Sequence, residues 1–264
     1  MKRIYRFFFR VFLFLILTIL SQIGGLVYVL ALLVSSLFQF KYKNTLTFLA
    51  LYLLFTFGIV PWLAPLLGRE KVKHTNFIQP TNYITVLLNR NYVVPSLNKV
   101  LSKVSDEVQE QGIQLNYLDA NFPFYNGFPL LPHLSHNDGK KIDLSLVYQN
   151  SKGQISKHQK SFLGYGVFVE PLAIEYDQTE VCKNLGYFQY DYPKYLSLGK
   201  LNQELQFSEK GTRQLVQSFL KQPQVGKLFI EPHLKTRLNL RSSKVRFHGC
   251  RAVRHDDHIH VQLN

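Results

Sequence analysis

Cysteine is scarce in this chain: Cys182 and Cys250 are all it has, and they form no C-x-x-C pair. A thiolate zinc site is thereby excluded. One disulfide remains possible, and it would form only in an oxidising compartment. Acid is scarce too, with 17 Asp and Glu against 31 Lys and Arg and a net charge of +14. Nine of the cations lie within residues 1–74, opposed there by Glu70 alone, so +8 of the charge belongs to that segment and +6 to the rest. Most of the basicity therefore flanks apolar sequence. The mild excess in the remainder suits an anionic polymer or a lipid surface without specifying either. Helix-turn-helix and zinc-finger spacings are missing, as is any interleaving of basic and aromatic residues, which argues against a nucleic-acid partner. There is no internal repeat and no low-complexity tract.

What is abundant is apolar sequence at the front. Phe7 to Phe40 is almost wholly apolar, and a second run follows from Leu46 to Leu67. A bilayer needs about 20 such residues in a helix. The second run fits one span, bent at Pro61 and Pro65. The first is long for one span and short for two, unless it turns back at Gly24-Gly25. Lys2, Arg3, Arg6 and Arg10 favour a cytoplasmic N-terminus. Two spans then leave the rest of the chain in the cytoplasm, and three place it outside. We expect a membrane segment over 1–68, a linker over 69–80 and a folded domain over 81–264. In that domain Pro95 to Gln111 reads as an amphipathic helix ending at Gly112. A second helix runs from a Ser208 cap to about Leu220. Strands are expected at 113–118, 142–148 and 227–231, and extended chain at 164–174.

Five of the nine histidines fall in two short windows. One is Pro132-His133-Leu134-Ser135-His136-Asn137-Asp138-Gly139, leading to Asp143. The other is Arg254-His255-Asp256-Asp257-His258-Ile259-His260. The alternation of His258-Ile259-His260-Val261 is that of a strand, so the two histidines share a face and Ile259 points to the opposite one. His136 falls in an Asn-Asp-Gly turn and Asp143 at the start of a strand, near enough to share an ion. Two imidazoles and a carboxylate make the three-ligand set of a catalytic zinc with one open position. Either window alone is weak evidence, since a lone HxH is common and Asn-Asp-Gly is usually only a turn. His158 and His233 read as a loop residue and a structural residue.

Together the windows resemble the LAS group of zinc peptidases, which pairs H-x6-D with a distant HxH. The penicillin-insensitive murein endopeptidase branch is the most similar, through His133 three before His136 and His255 three before His258. The resemblance spans roughly residues 80–264 and is specific only in the two windows. It implies an α+β fold, a small antiparallel sheet with flanking helices of LAS/hedgehog-like type. It implies zinc ligands His136, Asp143 and His260, with His258 beside the metal. Carboxypeptidase members place a Glu base where this chain has Asp257, so His258, His255 and Asp257 all stand as candidate bases. His133 and Arg254 are expected to contact substrate or an oxyanion, and Asp256 to orient a ligand histidine. Zinc would lower the pKa of its water toward about 7 for attack on an amide. The expected activity is hydrolysis of peptidoglycan peptide bonds involving D-amino acids, by a protein of the bacterial inner membrane facing the periplasm or wall. The alternative is a zinc-containing wall-binding module without catalysis.

Overall fold

Apolar chain in lipid has no water to satisfy its backbone, so it folds as helix. In the computed structural model, which describes residues 2–195 and 197–264, the first run begins as α1 (Lys2–Ser21). The second lies in a helix over Lys43–Leu67, and both are long and apolar enough to cross a bilayer. The second is built from α3 (Lys43–Leu54), a π turn (Phe55–Ile59), α4 (Val60–Leu63) and a 3-10 turn (Ala64–Leu67). Pro61 lacks an N–H and its ring crowds the carbonyl four residues back, and the wide π turn lies where that strain falls. The first run turns back at the expected glycines. A Cβ on Gly24 would meet the Leu17 carbonyl oxygen at 2.5 Å, and one on Gly25 would overlap Thr18 Oγ1, so α2 (Gly24–Ser35) follows α1 at a distance only glycine allows. Its 12 residues extend about 18 Å, short of the roughly 30 Å of hydrocarbon. The run is thus one full-length helix and a short return arm.

The chain divides into two compact units, each made of separate stretches. The first takes everything up to Val72 together with Ile84–Pro95 and Ala120–Gly139. Its core is Ile23, Val27, Val60, Ala64 and Tyr92, with Phe48, Phe55 and Phe124 packed against it. After the helix over Lys43–Leu67, Gly68 turns the chain at φ 75° and β1 (Glu70–Lys71) pairs antiparallel with β3 (Tyr92–Val93). Between these strands in sequence lies α5 (Ile84–Leu87). The loop 120–139 closes at both ends on this region. Tyr92 and Asn121 exchange backbone bonds of 3.0 and 3.1 Å, and Val94 N–H donates to Gly139 O at 2.9 Å. The Phe- and Pro-rich loop carrying His133 and His136 is therefore part of the unit that holds the apolar helices.

The second unit takes Lys73–Tyr83, Ser96–Asp119 and Lys140–Asn264. It is built on a mixed six-stranded sheet of β2 (Ile78–Pro80), β4 (Leu115–Tyr117), β5 (Lys141–Ser145), β9 (Val225–Phe229), β10 (Val245–Arg246) and β11 (His258–Leu263). The order is β10-β9-β11-β5-β4-β2. The four central strands are antiparallel, but both edges are parallel to their neighbours, which corrects the expectation of an antiparallel sheet. Each parallel pair is joined by a crossover carrying a helix, as parallel pairing requires. α6 (Pro95–Val108) lies between β2 and β4, and α9 (Pro232–Arg237) between β9 and β10. The amphipathic helices form as read. α6 buries Leu97, Val100, Leu101 and Val104, passes into a 3-10 turn and ends at Gly112 with φ 72°. α8 (Glu209–Lys221) starts at Ser208, whose hydroxyl accepts from Gly211 N–H, and buries Leu215, Val216 and Phe219. A three-stranded sheet of β6 (Tyr148–Gln149), β7 (Ile155–Ser156) and β8 (Gln206–Phe207) ends the expected strand 142–148 early, because the chain leaves β5 after Ser145. Residues 164–174 form no strand. Cys182, in α7 (Gln178–Asn184), is joined to Cys250 by a disulfide.

Candidate metal centre

The pairing of β5 with β11 sets the site. His260 lies opposite Asp143 and His258 opposite Ser145, so the two histidines and the carboxylate share one face. Ile142, Leu144, Ile259 and Val261 fall on the other face and are buried. His260 Nδ1 is 2.8 Å from Asp143 Oδ1, and His258 Nε2 is 3.9 Å from Asp143 Oδ2. The first spacing is that of a hydrogen bond, and it keeps the imidazole and the carboxylate side by side. Asp143 and His258 are fully buried.

Asp257 does not face this group. Its Oδ1 is 2.5 Å from His258 Nδ1, and its Oδ2 accepts from Gly166 N–H at 2.6 Å. With both oxygens engaged, its geometry is that of a group orienting His258. Burial opposes charge on His258, but the Asp257 and Asp143 carboxylates outweigh it and push its pKa up to about 9. His255 is also buried, its ring 4.7 Å from that of His258. Burial first, then the neighbouring His258 and His260, hold it well below the usual imidazole range. Two further residues were not picked out from the sequence. Tyr165 OH donates to Asp143 Oδ2 at 2.8 Å, and its ring stands edge-on 5.0 Å from that of His258. Its signal was Gly164-Tyr165-Gly166, where both glycines take positive φ to turn one aromatic inward. His248 is exposed, with its ring 5.2 Å from that of His255 and 6.2 Å from that of His260. It lies in a loop with no pattern to mark it.

Arg254 and Asp256 behave differently from expectation. Arg254 donates to both oxygens of Asp256 and to Glu170 Oε2, and lies 3.9 Å over the Phe168 ring. Its guanidinium is committed to this buried network rather than turned toward a substrate. Asp256 serves Arg254 and lies 3.8 Å from His233, so Asp257, and not Asp256, orients a histidine of the cluster. Burial pushes the Asp256 carboxyl well up, with Arg254 opposing. Behind the site Glu231 accepts from Tyr190 OH and His255 N–H. His233 Nε2 is 2.7 Å from Val169 O, in keeping with its structural reading, and His158 is exposed.

His136 is buried and its Nδ1 is 2.6 Å from the carbonyl of Ala120. A proton on Nδ1 makes that bond and leaves the Nε2 lone pair as the one to offer a metal, the usual way a ligating histidine is oriented. His133 is half-buried, with its ring 5.6 Å from that of His136. A first group of metal-ligating side chains, Asp143, His258 and His260, lies in the second unit, and His133 and His136 lie together in the first. These buried histidine and aspartate groups can hold a metal ion. The donor set of the first group, two imidazole nitrogens and a carboxylate oxygen, fits zinc; with both cysteines in the disulfide, no thiolate competes. Compared with known proteins, the chain matches no protein-family model and no curated protein.

Proposed function

We propose that the protein is a membrane-anchored zinc peptidase of LAS type acting on peptide bonds of peptidoglycan. One observation carries this reading: two imidazoles and a carboxylate, His258, His260 and Asp143, share one buried face of the sheet, and His136 is the further ligand that the resemblance implies. Three protein ligands leave one position for water or substrate. Bound zinc would supply a lowered water pKa and a polarised carbonyl. The chain's own residues supply the rest. His258, held at Nδ1 by Asp257, carries a proton at Nε2 and passes it to the leaving amine. His255, which burial keeps neutral, is the base. Tyr165 fixes Asp143 through Oδ2. His133 is the substrate contact retained from the sequence reading.

Two full-length apolar helices behind a cytoplasmic N-terminus would leave the site in the cytoplasm, whereas the disulfide between Cys182 and Cys250 supports an oxidising location; we let the disulfide decide and take the site to face the periplasm or wall, with the apolar helices as the anchor. The test uses the full chain in lipid nanodiscs. Wild type should hold one zinc and release peptides from purified peptidoglycan, identified by mass. His136→Ala should lose both the metal and the activity. Zinc at full occupancy with no product from any peptidoglycan would instead establish the non-catalytic wall-binding module. Unchanged zinc content in His136→Ala would sink the site.

A further inference from the structure

We propose that Arg69 and Gln22 position the loop bearing His136, the ligand proposed above, from within the unit that holds the apolar helices. The proposal rests on the zinc reading above. Arg69 follows directly on Gly68, where the helix over Lys43–Leu67 has ended, and is only 2% exposed. Its guanidinium donates from Nη1 to the Phe122 carbonyl and from Nη2 to Asn126 Oδ1 and, at 3.4 Å, to the Asn137 carbonyl. A single side chain thus ties the two limbs of loop 120–139, one partner being the residue next to His136. Close packing enforces the arrangement. A Cβ on Gly139 would stand 3.0 Å from Arg69 Nε, and Gly127 N–H closes the loop on Asn137 O at 2.8 Å.

Gln22 makes the second tie. It sits in the turn between α1 and α2 with φ 65°, and its Oε1 accepts from Phe124 N–H at 2.9 Å. Phe124 packs against the core that Ile23, Val27, Val60 and Ala64 build from the apolar helices. The loop is therefore held by the helix hairpin at one point and by the end of the long helix at another. A passive tether needs neither bond. A fork donating to two backbone carbonyls and an amide is something Arg can do and Lys cannot.

The experiment uses the full chain in nanodiscs and two readouts, amide hydrogen exchange and the visible spectrum of bound cobalt(II). Arg69→Met should speed exchange at Gly127 and Gly139 by about tenfold to a hundredfold, the loss expected for charge-assisted bonds. The sheet amides of Leu144 and Val261 should keep wild-type rates. Its cobalt spectrum should weaken toward that of His136→Ala. Arg69→Lys should recover only part of either effect. Because Arg69→Met can disturb folding, Asn126→Ala, at an exposed position, gives an independent arm, expected to quicken loop exchange several-fold. Wild-type exchange in both variants overturns the proposal, and so does a loosened loop with an unchanged cobalt spectrum. A wild-type chain that takes up no cobalt overturns the metal reading instead.

Discussion

At the scale of single residues, Asp143 is the centre of the site, touched by His260 on one oxygen and Tyr165 on the other. Removing the tyrosine hydroxyl removes an orienting bond to a proposed ligand, and such losses weaken metal about 10–100-fold. Tyr165→Phe is therefore expected to raise the zinc dissociation constant by at least about tenfold, measured by competition with a chelator, with little change in fold. A second residue-scale expectation concerns pH. The Arg237 guanidinium bonds Glu175 and holds its carboxyl down at about 2, against an ordinary value of 4.5. A depressed carboxyl contributes its full stability above the unfolded value and loses it as pH falls through the folded one. Glu175→Gln should cost about 1–2 kcal/mol near neutral pH, and the gap from wild type should close between about pH 4.5 and 2, followed by denaturant unfolding. Residue types at the site were legible in the sequence, because HxH alternation needs only a strand. The role of Asp257 was not, since Asp256 and Asp257 are equivalent in sequence and only the direction of each side chain separates them.

At the scale of elements, the amphipathic helices and the terminal strand followed from periodicity, because each buries one face and shows it as a repeat. The hairpin was legible from Gly24-Gly25 for a different reason, the lack of a Cβ. Gly25→Val should force α2 away from α1, at about 1–3 kcal/mol for overpacking. Paired cysteines at facing positions of the two helices should then crosslink less readily than in the parent, read on a gel. The parallel edges of the sheet were hidden, because a strand of two or three residues carries too little pattern to state its direction. Tyr165 was missed for a similar reason: it lies in chain with no regular repeat, and its partner Asp143 is 22 residues away.

At the scale of the whole molecule, the disulfide and the anchor make one expectation each. In cells, Cys182 and Cys250 should resist maleimide until a reductant is added. Labelling without reductant would place the domain in a reducing compartment and contradict the outward topology. A fragment beginning at Thr75 lacks Arg69, Gln22 and the apolar core under Tyr92 and Phe124. It should bind zinc at least about tenfold more weakly than the full chain, by the same chelator competition. Equal affinity would mean that loop 120–139 keeps its shape without the apolar helices and Arg69.

By itself the sequence determined the apolar helices, the amphipathic faces and the residue types offered to a metal, because these depend on spacing along the chain. Only the tertiary structure decided which carboxylate orients His258, that Tyr165 reaches Asp143, and that the His136 loop is bound to the apolar helices. Those contacts join residues distant in sequence, so no local repeat records them. They exist because buried polar groups must find partners wherever the fold brings one within reach.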